Sequence, residues 1–147
     1  MQCEHCTNEI ENDLHSMLVV LQRVDQQGYS WFQCEQGQEM DGHNWQHSHC
    51  SHAHMLDNVA ACIHTHYKED DLTRVPVTQV RLHRHVLNRG LTCAVCETPL
   101  EKNAYRFCLT HATPVNRLPH SHESLDGWCC SLEHARIEAL NVLENEK

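Results

Sequence analysis

The hydrophobic pattern divides the 147-residue chain into short segments, and the first of them fits two periods. Ile10, Leu14, Met17, Leu18 and Leu21 fall on one face of a helix over 10–24, with Asn8 and Glu11 placed as a capping box. Alternatively, residues 17–24 form a strand that turns at Asp25, Gln26, Gln27 and Gly28 into a second strand over 29–34. Two later segments have helical spacing, roughly 51–66 and 131–144, the latter with Leu132, Ile137 and Leu140 marking an apolar face. Between the halves, residues 75–90 alternate partly like a strand, contain no acidic residue and end in a turn signal at Asn88, Arg89 and Gly90. This stretch reads as a linker or edge strand.

A repeat runs through these segments. Cys3-x2-Cys6 is matched by Cys93-x2-Cys96. Each pair is followed by an aromatic strand ending in Cys: Tyr29, Trp31, Phe32 and Cys34 in one half, Tyr105, Phe107 and Cys108 in the other. A His-Ser-His follows each, at His47/His49 and His120/His122. Each half then closes with Cys-Ser-x-x-His, at Cys50/His54 and Cys130/His134. Four landmarks repeated in one order predict a tandem duplication: 1–67 as a first unit, 68–92 as a basic linker or edge strand, and 93–147 as a second unit. The second half reaches Cys108 in 12 steps from Cys96, too few for a helix of the size that 10–24 would make. The strand hairpin is therefore the smaller difference between the halves.

Composition explains why such a chain needs a staple. Ten Cys and fifteen His stand against only eight aromatic residues, and mean hydropathy is −0.58. A small domain with so little to bury is usually held by disulfides or metals. No basic region precedes an apolar stretch at the N-terminus, and no run approaches the ~20 apolar residues that span a bilayer. The expectation is an intracellular, cytoplasmic protein without a membrane role, in which Cys-x2-Cys is a metal clamp and not a disulfide scaffold.

The spacing suits Zn2+. Two thiolates from a tight turn and two ligands from the first turn of a helix complete a tetrahedron. Cys50/His54 and Cys130/His134 are i, i+4 pairs on one helical face, and the helix N-terminus favours thiolate. The sequence thus predicts one site from Cys3, Cys6, Cys50 and His54 and another from Cys93, Cys96, Cys130 and His134. Surplus ligands supply candidate second sites: Cys34, His47, His49, Cys62 and His66 in the first half, and Cys108, His111, His120 and His122 in the second. That gives two to four zinc ions. A rival pairing joins Cys93, Cys96, Cys108 and His111 as a self-contained ribbon, leaving Cys130 and His134 to His120 or His122.

Cys50-x3-His54-x7-Cys62-x3-His66 resembles the second half of a MYND-type zinc finger, with Cys and His exchanged at three of four positions. The run from Trp128 through Cys129, Cys130 and Ser131 to His134 is similar to the aromatic-Cys-Ser-x-x-Cys helix start of MYND, MYM and TRASH-type modules. The resemblance implies small treble-clef or cross-braced folds used for protein–protein contact or metal sensing. The fold expectation is accordingly α+β and zinc-rich, with two tandem treble-clef-like units, each a Cys-x2-Cys knuckle, a β-hairpin and a C-terminal helix.

Charge separates the function classes. Residues 1–67 carry one basic residue (Arg23) against nine acidic ones, a balance of −8, within a net charge of −9. A protein-binding, non-catalytic adaptor or regulator needs nothing the sequence lacks. Nucleic-acid association through Arg74, Arg81, Arg84 and Arg89 is the alternative, opposed by the acidic first half. A zinc hydrolase, nuclease or metal sensor ranks lower. The sequence has no His-Glu-x-x-His, no Ser/His/Asp order and no phosphate-cradling Gly loop, and nothing in it calls for an organic cofactor.

Overall fold

The computed structural model describes residue 6 and residues 16–34, 51–75, 87, 90–112, 120–121 and 127–146. The first ambiguity resolves as a hairpin: β1 (Ser16–Asp25) turns into β2 (Ser30–Cys34) with the two strands antiparallel. Asp25 organises the turn. Its Oδ1 accepts from the backbone N–H of Gln27 and Tyr29, each at 3.0 Å, and its Oδ2 accepts from Trp31 Nε1 at 3.0 Å. Gly28 supplies the left-handed residue that the turn requires, at φ +83°.

Helix α1 (His52–Thr65) follows, then a 3-10 turn (Glu69–Asp71), β3 (Thr73–Val75), β4 (Asn103–Ala112), β5 (His120–Ser121) and α2 (Leu132–Asn145). The five strands form one sheet in the order β3-β2-β1-β4-β5. Its spine is the antiparallel pairing of β1 with β4, in register from Ser16 opposite Ala112 to Asp25 opposite Asn103. The two halves therefore share one sheet, and the described residues do not display two separate treble-clef units. Of the 68–92 segment, β3 pairs with β2 at the sheet edge, and residues 76–86, most of the stretch expected as a linker or edge strand, lie outside the described residues.

β1 is buried on both faces, at Met17, Val19, Leu21, Val20, Gln22 and Val24. That explains its near-continuous apolar sequence. One face packs under the helices. Tyr67, just past α1, is fully buried, donates its hydroxyl to the Val19 carbonyl at 3.4 Å and meets Phe107 edge-on at 5.0 Å. On the other face, Gln22 Oε1 accepts from Arg106 Nε at 3.2 Å, and the Arg106 guanidinium lies 4.4 Å from the centre of the Trp128 ring.

The helices are tied together by Arg136. Its guanidinium donates to the carbonyls of Ile63, His64 and Tyr67 at the end of α1, where a cation also offsets the helix dipole. Arg23 and Tyr105, register partners on β1 and β4, both bind the Glu69 carboxylate and anchor the 3-10 turn. Burial and the neighbouring Glu69 carboxylate push the Tyr105 hydroxyl up to about 12, so it stays a hydrogen-bond donor.

Two expectations are corrected. The buried stripe of α2 is Ala135, Ala139 and Leu143, while Ile137 is 44% exposed and Leu132 and Leu140 are only partly covered. The inward face of α2 is therefore not its most hydrophobic one. The two aromatic strands are also not equivalent. Residues 29–34 run into and along β2, next to the sheet edge strand, whereas Tyr105, Phe107 and Cys108 lie in β4, beside the central strand β1.

Asp25→Ala should lower the unfolding free energy by roughly 2–3 kcal/mol, because it removes an ionised acceptor serving three donors. Asp25→Asn, which keeps one carbonyl oxygen, should cost less. Chemical denaturation of the two variants checks the order, and equal losses would show that the carboxylate does not organise the turn.

Candidate metal centre

The second Cys-x2-Cys forms a compact knuckle. Thr92 bridges to Pro99, Cys93 N–H donates to the Thr98 carbonyl at 2.8 Å, Glu97 N–H donates to the Cys93 carbonyl at 2.9 Å, and Leu100 N–H closes onto Leu91 at 3.0 Å. Glu97 takes the left-handed conformation at φ 63°, the one described non-glycine residue with positive φ. Opposite the knuckle, α2 begins at Ser131, whose extended backbone and Oγ cap the helix by accepting from His134 N–H at 3.2 Å. The capped first turn places Cys130 and His134 on one side. Ala94 N–H donates to the Trp128 carbonyl at 3.1 Å, holding the knuckle against the approach to α2.

Four ligand atoms converge there. Those of Cys93, Cys96, Cys130 and His134 all lie within 4.8 Å of one another, so this group can hold a metal ion. Cys96 Sγ is 3.6 Å from Cys130 Sγ. His134 Nδ1 is 3.3 Å from Cys130 Sγ and 3.6 Å from Cys93 Sγ. Bonds of about 2.3 Å to sulfur and about 2.0–2.1 Å to nitrogen at tetrahedral angles would require S···S near about 3.8 Å and S···N near about 3.6 Å. The three distances given lie close to these values, and the other pairs fall within 4.8 Å. Cys93 is buried, Cys96 exposed, and Cys130 and His134 lie between, so the centre sits at the surface with one sulfur outward.

The local fields divide the thiols. Burial works against ionisation of Cys93, but backbone amides at Cys96, Cys130 and Val95 outweigh it and bring the thiol down to about 7. The Val95 N–H reaches Cys93 Sγ at 3.4 Å. Cys96 is also lowered, first by the Thr98 hydroxyl 3.0 Å from its sulfur and then by the Thr98 amide. Cys130 moves the other way, to about 11, through burial and then its proximity to the other two sulfurs. Cys129, adjacent in sequence, is fully buried, forms a backbone bridge with Tyr105 and is pushed up to about 12, chiefly by burial. It is a neutral core thiol outside the ligand set. Among the supporting groups, Thr98 and the Ser131 cap escaped sequence reasoning. A Ser immediately before a helical pattern was the signal available for the cap.

The remaining expected ligands separate by where they lie. Cys3, His47, His49, Cys50 and His122 fall outside the described residues, as do Arg81, Arg84 and Arg89. Cys6 and His54 are half-buried, Cys62 is half-buried on α1, and His66 is its exposed C-cap; among the described residues none joins a group of three ligands. Cys34, His111 and His120 are described as strand positions, with His120 opposite His111 in the β4–β5 ladder. Cys108 donates to Gln22 Oε1 at 3.7 Å and belongs to the same continuous strand as His111. Cys-x2-His therefore forms no second knuckle there, and Cys93 and Cys96 meet Cys130 and His134 in place of the rival ribbon. Comparison with protein-family models, characterised proteins and solved structures returns no match for this chain.

Coordination requires thiolates, so metal binding should displace protons. At pH 8 Cys93 is largely ionised while Cys130 still holds its proton, and each metal bound should release at least one proton. At pH 6 Cys93 is also protonated, so at least two should be released and affinity should fall. Indicator-dye titration in weak buffer measures this, and binding without proton release at pH 8 would contradict the assignment of Cys130 as ligand.

Proposed function

We propose that this chain is a zinc-stapled, non-catalytic adaptor that presents its surface to a protein partner. The supporting observation is the closed ligand set. Three sulfurs and one imidazole nitrogen would complete a tetrahedron around an ion, whereas a catalytic zinc keeps a position for water or substrate. Soft thiolates favour Zn2+ over Mg2+ or Ca2+. Reduced thiols at this centre suit the reducing intracellular setting in which such modules work. Among the described residues no helix is long and apolar enough to cross a membrane.

Nucleic-acid association is the second reading. It draws on Arg74, exposed on edge strand β3 with its guanidinium 4.6 Å from the centre of the Tyr29 ring. The −8 balance of residues 1–67 weighs against it.

Because β4 pairs along its whole length with the central strand β1, losing the staple should not unfold residues 93–147 alone. Chelation, or Cys96→Ser, is expected to lower the thermal midpoint and melt the sheet in one transition, seen by circular dichroism and hydrogen exchange. An unchanged melting curve after complete metal removal would refute a structural role. Affinity capture with nuclease treatment then separates the two readings. A protein retained by the metal-loaded chain, lost with Cys96→Ser and indifferent to nuclease supports the adaptor. Capture abolished by nuclease supports the alternative.

A further inference from the structure

Of the seven cysteines whose exposure is described, Cys96 alone is exposed. It stands in the turn of the knuckle, and its sulfur is 3.6 Å from that of Cys130. Cys130 lies in the bend just before the Ser131 cap, so neither side chain is held within a helix or a strand. A disulfide of about 2.05 Å between sulfurs already in contact needs a combined movement of roughly 1.5 Å, which side-chain rotation on two turns can supply.

The neighbouring thiols are less open to attack from solvent. Cys93 is 1% exposed, and its sulfur accepts from the Val95 N–H at 3.4 Å. Cys129 is fully buried and donates its thiol proton to the Gly127 carbonyl at 3.6 Å. An oxidant arriving from water therefore meets Cys96 first, with Cys130 beside it in the position of a resolving thiol.

We propose that Cys96 is an oxidation site, at which a peroxide-class oxidant forms a Cys96–Cys130 disulfide and expels the metal. The expulsion rests on reading the Cys93 group as a metal centre, whereas the disulfide needs only the sulfur pair. The Cys96 thiolate attacks one oxygen of hydrogen peroxide. An S–O bond forms, the O–O bond breaks, and the departing hydroxide takes a proton to become water. The Cys130 thiolate then attacks the sulfenic sulfur; the S–S bond forms, the S–O bond breaks, and a second hydroxide is protonated to water. Two electrons pass from the sulfur pair to one peroxide. Only Cys93 and His134 then remain as ligands, too few for a structural zinc-class ion.

The new bond joins the same two elements that the metal would join, the knuckle and the start of α2. Oxidation thus exchanges a metal staple for a covalent one. It alters the surface a partner would meet and spares the sheet.

The test uses the full chain, loaded with Zn2+ under reducing conditions, desalted without oxygen and treated with hydrogen peroxide. A chromophoric chelator follows zinc release. Tandem mass spectrometry locates the link, since Cys93 and Cys96 share one tryptic peptide, residues 90–102, and Cys129 and Cys130 another, residues 118–136. Loss of one zinc per chain should keep step with the Cys96–Cys130 disulfide, and dithiothreitol with fresh Zn2+ should reverse both. In Cys130→Ser, dimedone should trap the sulfenic acid at Cys96. The oxidised chain should melt above the reduced, metal-stripped chain, because the disulfide closes a loop. A link through Cys93 or Cys129 in place of this pair overturns the oxidation site. So does a chain that keeps its zinc and an unmodified Cys96 in excess peroxide, and that result leaves the metal centre standing. A chain that binds no zinc yet forms the Cys96–Cys130 link removes the metal centre and supports the oxidation site, so the two failures are distinguishable.

Discussion

Three cysteine sulfurs held within a few ångströms of one another cannot all ionise unless a cation joins them. That constraint governs the described part of this molecule. Backbone amides and the Thr98 hydroxyl lower the Cys93 and Cys96 thiols, while Cys130 is driven to about 11 by burial and its neighbours. Bare, the cluster is frustrated. A divalent ion bound there would relieve it by taking the Cys130 proton's place. Cys129 shows the contrast: fully buried beside the cluster, it stays neutral and serves the core.

The rest of the fold ties this centre to both halves. The knuckle leads into β4, β4 pairs with β1 along its entire length, and Arg136 of α2 holds the end of α1. With few aromatic residues, the apolar core is thin enough for these polar ties to matter. Arg136 fastens one helix to the other, and Glu69, bound by Arg23 and Tyr105, fastens the 3-10 turn to the sheet. A metal bound at the start of α2 would therefore stabilise elements contributed by both halves.

Local structure was the legible part. The run from Met17 to Val24, the Asp25–Gly28 turn signal and the ligand spacing around Cys93, Cys96, Cys130 and His134 carry their geometry in a few consecutive residues each. The i, i+4 step from Cys130 to His134 was readable because helical periodicity is a short-range rule. What failed was long-range or energetically faint. Nothing in the alternation of residues 103–112 names β1 as partner, so the halves read as separate units when they share a sheet. The inward face of α2 uses Ala135 and Ala139, which announce burial weakly, while exposed Ile137 announces it strongly. Tyr105 and Phe107 resembled the Tyr29–Phe32 strand in composition, but sheet position is set by pairing and not by aromatic content.

The central claim is that three thiolates and one imidazole nitrogen hold a metal ion between the knuckle and α2. X-ray absorption at the zinc edge, on full-length protein purified under reducing conditions without added metal, tests it most directly. The account predicts stoichiometric zinc with a sulfur-dominated shell near about 2.3 Å and a single nitrogen near about 2.0–2.1 Å for each ion. Zinc bound only by oxygen and nitrogen, or protein that is folded and free of metal, would contradict it.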